Sequence, residues 1–323
     1  SNNGSVCGMR DGKIAFYLES ERITRKKRDH AIRSLLKYVH DIDAIALCDS
    51  YWTKDSKTLI SSLDLSLVKN KFPDAILYDY RNQHHLCHAA SAFYNSGFDD
   101  AIAIVVDANG SKTDEGIEIE TIFDAPLWKV LHRKYFSQDD IGIGKQYQQT
   151  CVNYGFDPED AGKVMGMAAY GEAKYIDEVS ALLHQNNHKG IKELHGAPHD
   201  IAKSAEVVLE YELKKIFEIA LTYSNNICYG GGVALNCVVN TKLREMCNLW
   251  IMPNPGDAGG ALGAALIPYG KKVQFTPYLG YNIKRPIDPN EIVAKLLSEG
   301  IVGVANGRSE FGPRALGNRS LLA

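Results

Sequence analysis

The chain has 323 residues, 45% of them hydrophobic, with 36 Lys and Arg against 39 Asp and Glu, a net charge of −3 at pH 7. That length suggests about two domains, each able to bury a core, and the mildly acidic balance argues against a broad nucleic-acid-binding surface. No run approaches the ~18 apolar residues of a membrane span, and no signal peptide precedes the first strand, so a cytoplasmic protein without a membrane partner is expected.

The seven cysteines, Cys7, Cys48, Cys87, Cys151, Cys228, Cys237 and Cys247, are odd in number and include no CxxC pair. They suggest neither a disulfide framework nor a zinc ribbon, and reduced thiols fit the same compartment. Arg22, Arg25, Lys26, Lys27 and Arg28 form a local basic run, read as a solvated element end.

In chain order, Lys13–Leu18 reads as a strand after the Arg10-Asp11-Gly12 turn, whose glycine suits a hairpin. Ala44–Leu47 and Ala75–Leu77 read as short buried strands, and residues 84–96 as a helix with small apolar positions. Ala101–Val106 (AIAIVV) is the clearest buried strand. It ends at the polar turn Asp107-Ala108-Asn109-Gly110, and Ile117–Phe123 follows as its hairpin partner. An amphipathic helix is expected over 203–222. Ile227–Tyr229 is a strand running into Gly230-Gly231-Gly232. Trp250–Met252 is another, running into Asn254-Pro255-Gly256-Asp257-Ala258-Gly259-Gly260 and a helix over 261–267. Strand, glycine turn and helix thus occur twice in this half. Such turns bind anions, because free N–H groups at a helix start face them. Residues 276–290 read as a linker, 291–299 as a helix and Ile301–Ala305 as a strand.

His84 and His88 are four apart and share one face of their helix, a spacing that suits two ligands of one metal ion as well as two packed histidines. His85 holds the place a metalloprotease HExxH would give to glutamate. It is assigned, with Cys87, to packing or support. Asp257 is the best third ligand, with an N-cap role as the alternative. Two histidines and a carboxylate suit Fe(II), with zinc or manganese also fitting. Gly231, Gly232 and Asn236 form a candidate nucleotide loop, or simply a tight turn. GIGK at 142–145 lacks P-loop spacing. Asp107 is the candidate catalytic carboxylate, an Asx-turn being the alternative. Residues 307–320 pack Arg308, Arg314 and Arg319 among glycines, which favours an anion site.

Several longer stretches resemble one known family. These are ESERITRKK at 19–27, HHLCHAASAF at 84–93, VVDANGS at 105–111, GKVMGMAAYG at 162–171, GGVALNCVVN at 231–240, NPGDAGGALGAA at 254–265 and EFGPRALGNRS at 310–320. In this order they are similar to the NodU/CmcH/TobZ O-carbamoyltransferases, which departs from this chain in having Asp where Gln83 stands, Gly for Ala108 and Glu for Ser111. The resemblance implies an α/β, duplicated actin/Hsp70-like fold over 1–275. Residues 276–323 would be a linker and the start of a YrdC-like adenylating domain, most of which lies beyond this sequence. It implies ATP with magnesium as co-substrate and carbamoyl phosphate as carbamoyl source. Carbamoyl-adenylate would pass its carbamoyl group to the hydroxyl of a small molecule or sugar. His84, His88 and Asp257 match the family's metal ligands, Gly231, Gly232, Asn236 and Lys163 its nucleotide site, and Arg314 and Arg319 the start of the adenylating domain, where carbamoyl phosphate binds. A homodimer is compatible. The rival readings are a tRNA threonylcarbamoyl transferase-like enzyme, an actin-like ATPase or sugar kinase without carbamoyl chemistry, and an inactive binding module.

Overall fold

The structure, a computed structural model, describes residues 4–27, 29, 31–48, 62–137, 139–183 and 195–323. Arg28, in the basic run, lies outside the described residues. The elements begin with a hairpin, β1 (Ser5–Arg10) and β2 (Lys13–Glu19), then α1 (Ser20–Thr24), α2 (Arg33–Leu36), β3 (Ala44–Cys48), α3 (Ser62–Lys71), β4 (Ile76–Tyr80) and α4 (His84–Phe93). The second part has β5 (Ala101–Val106), β6 (Lys112–Thr113), β7 (Gly116–Ala125), β8 (Lys129–Tyr135), α5 (Ile143–Asn153), α6 (Ala161–Ala168), α7 (Ile176–Leu183) and α8 (Pro198–Leu221). It closes with β9 (Asn226–Gly230), a 3-10 turn at Gly232–Leu235, α9 (Cys237–Leu243), β10 (Asn248–Ile251), a 3-10 turn at Asp257–Gly259 and α10 (Gly260–Tyr269). After it come β11 (Asn282–Ile283), α11 (Pro289–Glu299), β12 (Val302–Ala305), β13 (Gly307–Arg308) and β14 (Arg319–Leu322).

The main sheet runs β10-β9-β5-β7, with β8 on the far edge of β7 and β6 against the start of β7. β5, β7 and β8 form an antiparallel meander, while β9 and β10 extend the sheet in parallel from the other side of β5. A three-strand meander followed by a parallel pair beside its first strand is the plan of one actin-like lobe. The first hundred residues repeat the succession in reduced form, an antiparallel hairpin (β1/β2) followed by a parallel pair (β3/β4). The expected α/β, actin-like class is therefore the one observed.

β5 explains why its sequence is an unbroken apolar run. Strand side chains alternate between faces, and both faces are covered. Ile102, Ile104 and Val106 join one core with Leu209, Leu213 and Phe217 of α8. Ala101, Ala103 and Val105 join another with Ala89, Phe93 and Leu262 of α4 and α10. The small residues on the second face let α4 lie close to the sheet. α10 in turn lies close to α4, since a Cβ on Gly263 would stand 1.8 Å from the Cys87 carbonyl oxygen. Burying a side chain such as Phe217 (0% exposed) contributes ~1.5–3 kcal/mol.

Most expected elements are present with boundary shifts: α8 starts at Pro198, ahead of the expected 203, and α4 ends at Phe93 rather than 96. β8 and helices α5, α6 and α7 were not anticipated. In the carboxy-terminal segment, Asp288 starts α11 by accepting the Asn290 N–H at 2.9 Å, and β12 pairs with β14, β11 with β13. This segment is fastened to the rest by Phe311, whose ring stacks on Tyr17 at 3.6 Å between centroids.

Candidate metal and nucleotide site

The start of α4 is fixed from outside the helix: the His84 N–H donates to Ser111 Oγ at 2.8 Å. One turn of helix then stacks His84 and His88, both 2% exposed, with their Nε2 atoms 2.9 Å apart. Asp107, at the end of β5, brings Oδ2 to 3.5 Å from each Nε2. Asp257 brings Oδ1 to 3.6 and 3.7 Å. The Asp257–Gly259 turn is held by the first hairpin, because the Ala258 carbonyl accepts from both Ser5 Oγ (2.8 Å) and the Tyr17 hydroxyl. All four donor atoms lie within 4.8 Å of one another. His85, on another face of α4, bonds Thr121 Oγ1 through Nδ1 at 2.8 Å and takes no part.

The structure thus brings the three expected ligands together and adds Asp107 to them. Its fitness for a divalent cation follows from charge and spacing. Two carboxylates among two imidazoles call for compensating positive charge in a buried place. Ligands ~2.1 Å from one ion and at right angles stand ~3 Å apart, close to the spacing of the two Nε2 atoms. Two nitrogens and two carboxylate oxygens suit Fe(II), manganese or zinc. Without a metal, burial works against a charged His84, but the bond to Asp107 and the charges of Asp257 and Asp107 outweigh it and push its pKa up to about 9. Burial likewise would raise Asp107, but His84 and His88 outweigh it and hold that carboxyl well below the usual range. Asp257 is also lowered, against its burial.

Asp107 also connects the cluster to the glycine turn. Its Oδ2 accepts the Gly232 N–H at 3.2 Å, and its Oδ1 the Ala108 N–H at 2.8 Å. Gly231 has φ +91°, and a Cβ there would stand 2.3 Å from the Val106 carbonyl oxygen, so the turn needs glycine. Asn236 caps α9, its Oδ1 accepting from Val238 and Val239 N–H at 3.2 and 3.1 Å. Its Nδ2 is buried with no hydrogen-bond partner. Asp107, Gly144, Tyr147, Gly232, Asn236 and Arg314 all line one cavity beside this turn.

Sequence reasoning missed Tyr147, which carries no motif; its hydroxyl is buried without a partner. Lys163 is not among the residues lining the cavity. Its Nζ bonds Asp160 Oδ2 at 2.8 Å, and Asp160 is bonded as well by Lys27 at 3.1 Å. The two arginines of the 310–320 stretch part company. Arg319 is committed to Glu310, with Nε 2.7 Å from Oε2, whereas Arg314 reaches the cavity.

A family profile described as the carbamoyltransferase amino terminus matches residues 49–266, and one described as the carboxy terminus matches 293–323. The chain belongs to the carbamoyltransferase family. Among curated relatives, an uncharacterized protein of Synechocystis, sll1178, is 31% identical over 97% of this chain and 68% of its own length. Nodulation protein NolNO of Sinorhizobium fredii is 25% identical over the whole chain and 58% of its own length. The chain thus spans 68% and 58% of the length of these two relatives. Among solved structures, HypF of T. kodakarensis is similar with a TM-score of 0.48 at 15% identity, covering 82% of this chain and 47% of that one.

Proposed function

We propose that this chain is the transfer part of an ATP-dependent O-carbamoyltransferase, moving a carbamoyl group from carbamoyl-adenylate to an acceptor hydroxyl. The observation that carries the reading is Asp107, which stands in the His84, His88 and Asp257 cluster and also lines the cavity at Gly232 and Asn236. A metal-binding set and an anion-binding turn that share a carboxylate suit a reaction at a phosphate-linked carbonyl.

In this reading His84, His88, Asp107 and Asp257 hold a divalent cation, iron(II) foremost. Bound there, the ion supplies Lewis-acid polarisation of carbamoyl or phosphate oxygens. Gly231, Gly232 and Asn236 hold the adenylate through backbone N–H groups and the Asn236 amide. The acceptor oxygen bonds the carbamoyl carbon, the bond from that carbon to the phosphate oxygen breaks, and AMP leaves as the hydroxyl proton passes to water. Asp107 keeps the cluster and turn in register. Its two oxygens already accept the Gly232 and Ala108 N–H groups, so its role is to hold and orient rather than to take the proton. Carbamoyl-adenylate would come from ATP, magnesium and carbamoyl phosphate in a unit that begins near residue 276.

The test is mass spectrometry of hydroxyl compounds incubated with the whole protein, ATP, carbamoyl phosphate and metal. A mass gain of one carbamoyl group, with AMP formed in step, is expected. Pyrophosphate and AMP formation without a carbamoylated product from any sugar or small hydroxyl compound would overturn the transfer reading.

A further inference from the structure

The arginine that sequence reasoning assigns to the adenylating unit is placed in the other unit's cleft. Arg314 lines the cavity with Asp107, Gly232 and Asn236, and its Nη2 donates to the Leu235 carbonyl, the last residue of the glycine turn. A guanidinium carries five N–H donors. That bond is its single hydrogen bond among the described residues, and no carboxylate pairs with it there. Its Nε is buried without a partner. An arginine with most of its donors uncommitted, half-buried against a glycine turn, is arranged for an oxyanion.

The loop that presents it is rigid for a reason legible in the bonds. Glu310, 5% exposed, lies at its base. Oε1 accepts the N–H groups of Leu316, Asn318 and Arg319 at 3.0, 2.7 and 3.0 Å, and Oε2 accepts from Arg319 Nε. Arg319 Nη2 and, more distantly, Arg22 Nη2 hold the Gly312 carbonyl. Phe311 is clamped on Tyr17. Residues on both sides of Pro313-Arg314 are therefore fixed, Arg319 as scaffold and Arg314 as the projecting group.

We propose that Arg314 is a phosphate-binding residue of the transfer cleft: it contacts the phosphate of the adenylate held at residues 231–236, so that the cleft is complete only with the 310–319 loop seated. This rests on the nucleotide reading of the cleft given above. The chemistry recognised is a nucleoside monophosphate ester, and the contact ties the carboxy-terminal segment to occupancy of the cleft.

The probes are AMP and adenosine, titrated calorimetrically into the wild-type protein, Arg314→Ala, Arg314→Lys and the surface control Lys242→Ala, with circular dichroism to check folding. Loss of a charge-assisted contact predicts AMP affinity about ten- to hundredfold weaker in Arg314→Ala. Adenosine affinity should be unchanged, because it lacks the phosphate. Arg314→Lys should recover part of the loss and Lys242→Ala should match wild type. Equal AMP affinity in wild type and Arg314→Ala would overturn the inference alone. An equal loss for AMP and adenosine would also overturn it, by showing that Arg314 merely supports the turn through Leu235. Failure of the wild-type protein to bind either probe would remove the nucleotide reading itself.

Discussion

The Nε2 atoms of His84 and His88 face each other at 2.9 Å, with Asp107 and Asp257 closing the group from two other segments of the chain. Two imidazole nitrogens this close need a shared proton or a shared cation between their lone pairs. The carboxylates raise the stakes, since either partner left alone in a buried place is costly.

Asp107 distinguishes this cluster from a three-ligand site. Asp107→Asn preserves shape while removing one negative charge, and Asn is a weaker ligand for a divalent ion. Metal affinity should fall at least tenfold, the scale on which even supporting residues act. Competition with a chromophoric chelator measures it. An unchanged affinity would return Asp107 to the cavity alone.

A second expectation concerns the glycine turn. A Cβ at Gly232 would stand 2.9 Å from Asp107 Oδ1. Gly232→Val should therefore weaken adenine nucleotide binding more than tenfold and disturb metal binding, with a native circular dichroism spectrum. Calorimetric titration with ATP, alongside metal analysis, tests both. Normal nucleotide affinity would move the nucleotide elsewhere.

Much of this arrangement was legible in the residues. The unbroken apolar run of β5 marked a strand covered on both faces, and the i, i+4 histidines marked one helix face. The glycine turns at 230–232 and 254–260 marked places where backbone comes close to something. β8 was not legible, because KVLHRKY shows neither alternation nor an apolar run, its first two residues being exposed and the other five half-buried. α5 was hidden too: GIGK at its start resembles a phosphate loop, its sequence is largely polar, and Tyr147, buried on its inner face, belongs to no motif. The second role of Asp107 could not be read locally, since its partners lie on α4 and in the 232 and 257 turns. Arg314 and Arg319 looked alike in sequence. What separates them is Glu310, which binds one and leaves the other.

Glu310 yields a prediction of its own. Burial alone would raise its pKa, but the backbone N–H donors and the Arg319 guanidinium outweigh burial and hold it at about 2, below its ordinary 4.5. A depressed carboxyl contributes stability that is fully present above its unfolded value and lost as pH falls through the folded one. Glu310→Gln should therefore cost ~1–3 kcal/mol near neutral pH. The gap from wild type should hold above pH ~5 and close between ~4.5 and ~2. Urea unfolding across that range tests it. A gap that is constant with pH would show that the loss comes from shape rather than charge.

His84, His88, Asp107 and Asp257 should together hold one divalent cation beside the glycine turn at 230–232. The most direct measurement is elemental analysis of the wild-type protein and of the His84→Ala, His88→Ala double variant, both purified alike and shown to be folded by circular dichroism. Close to one transition-metal ion per wild-type chain is expected, and nearly none in the double variant. Equal metal content in the two proteins would contradict it.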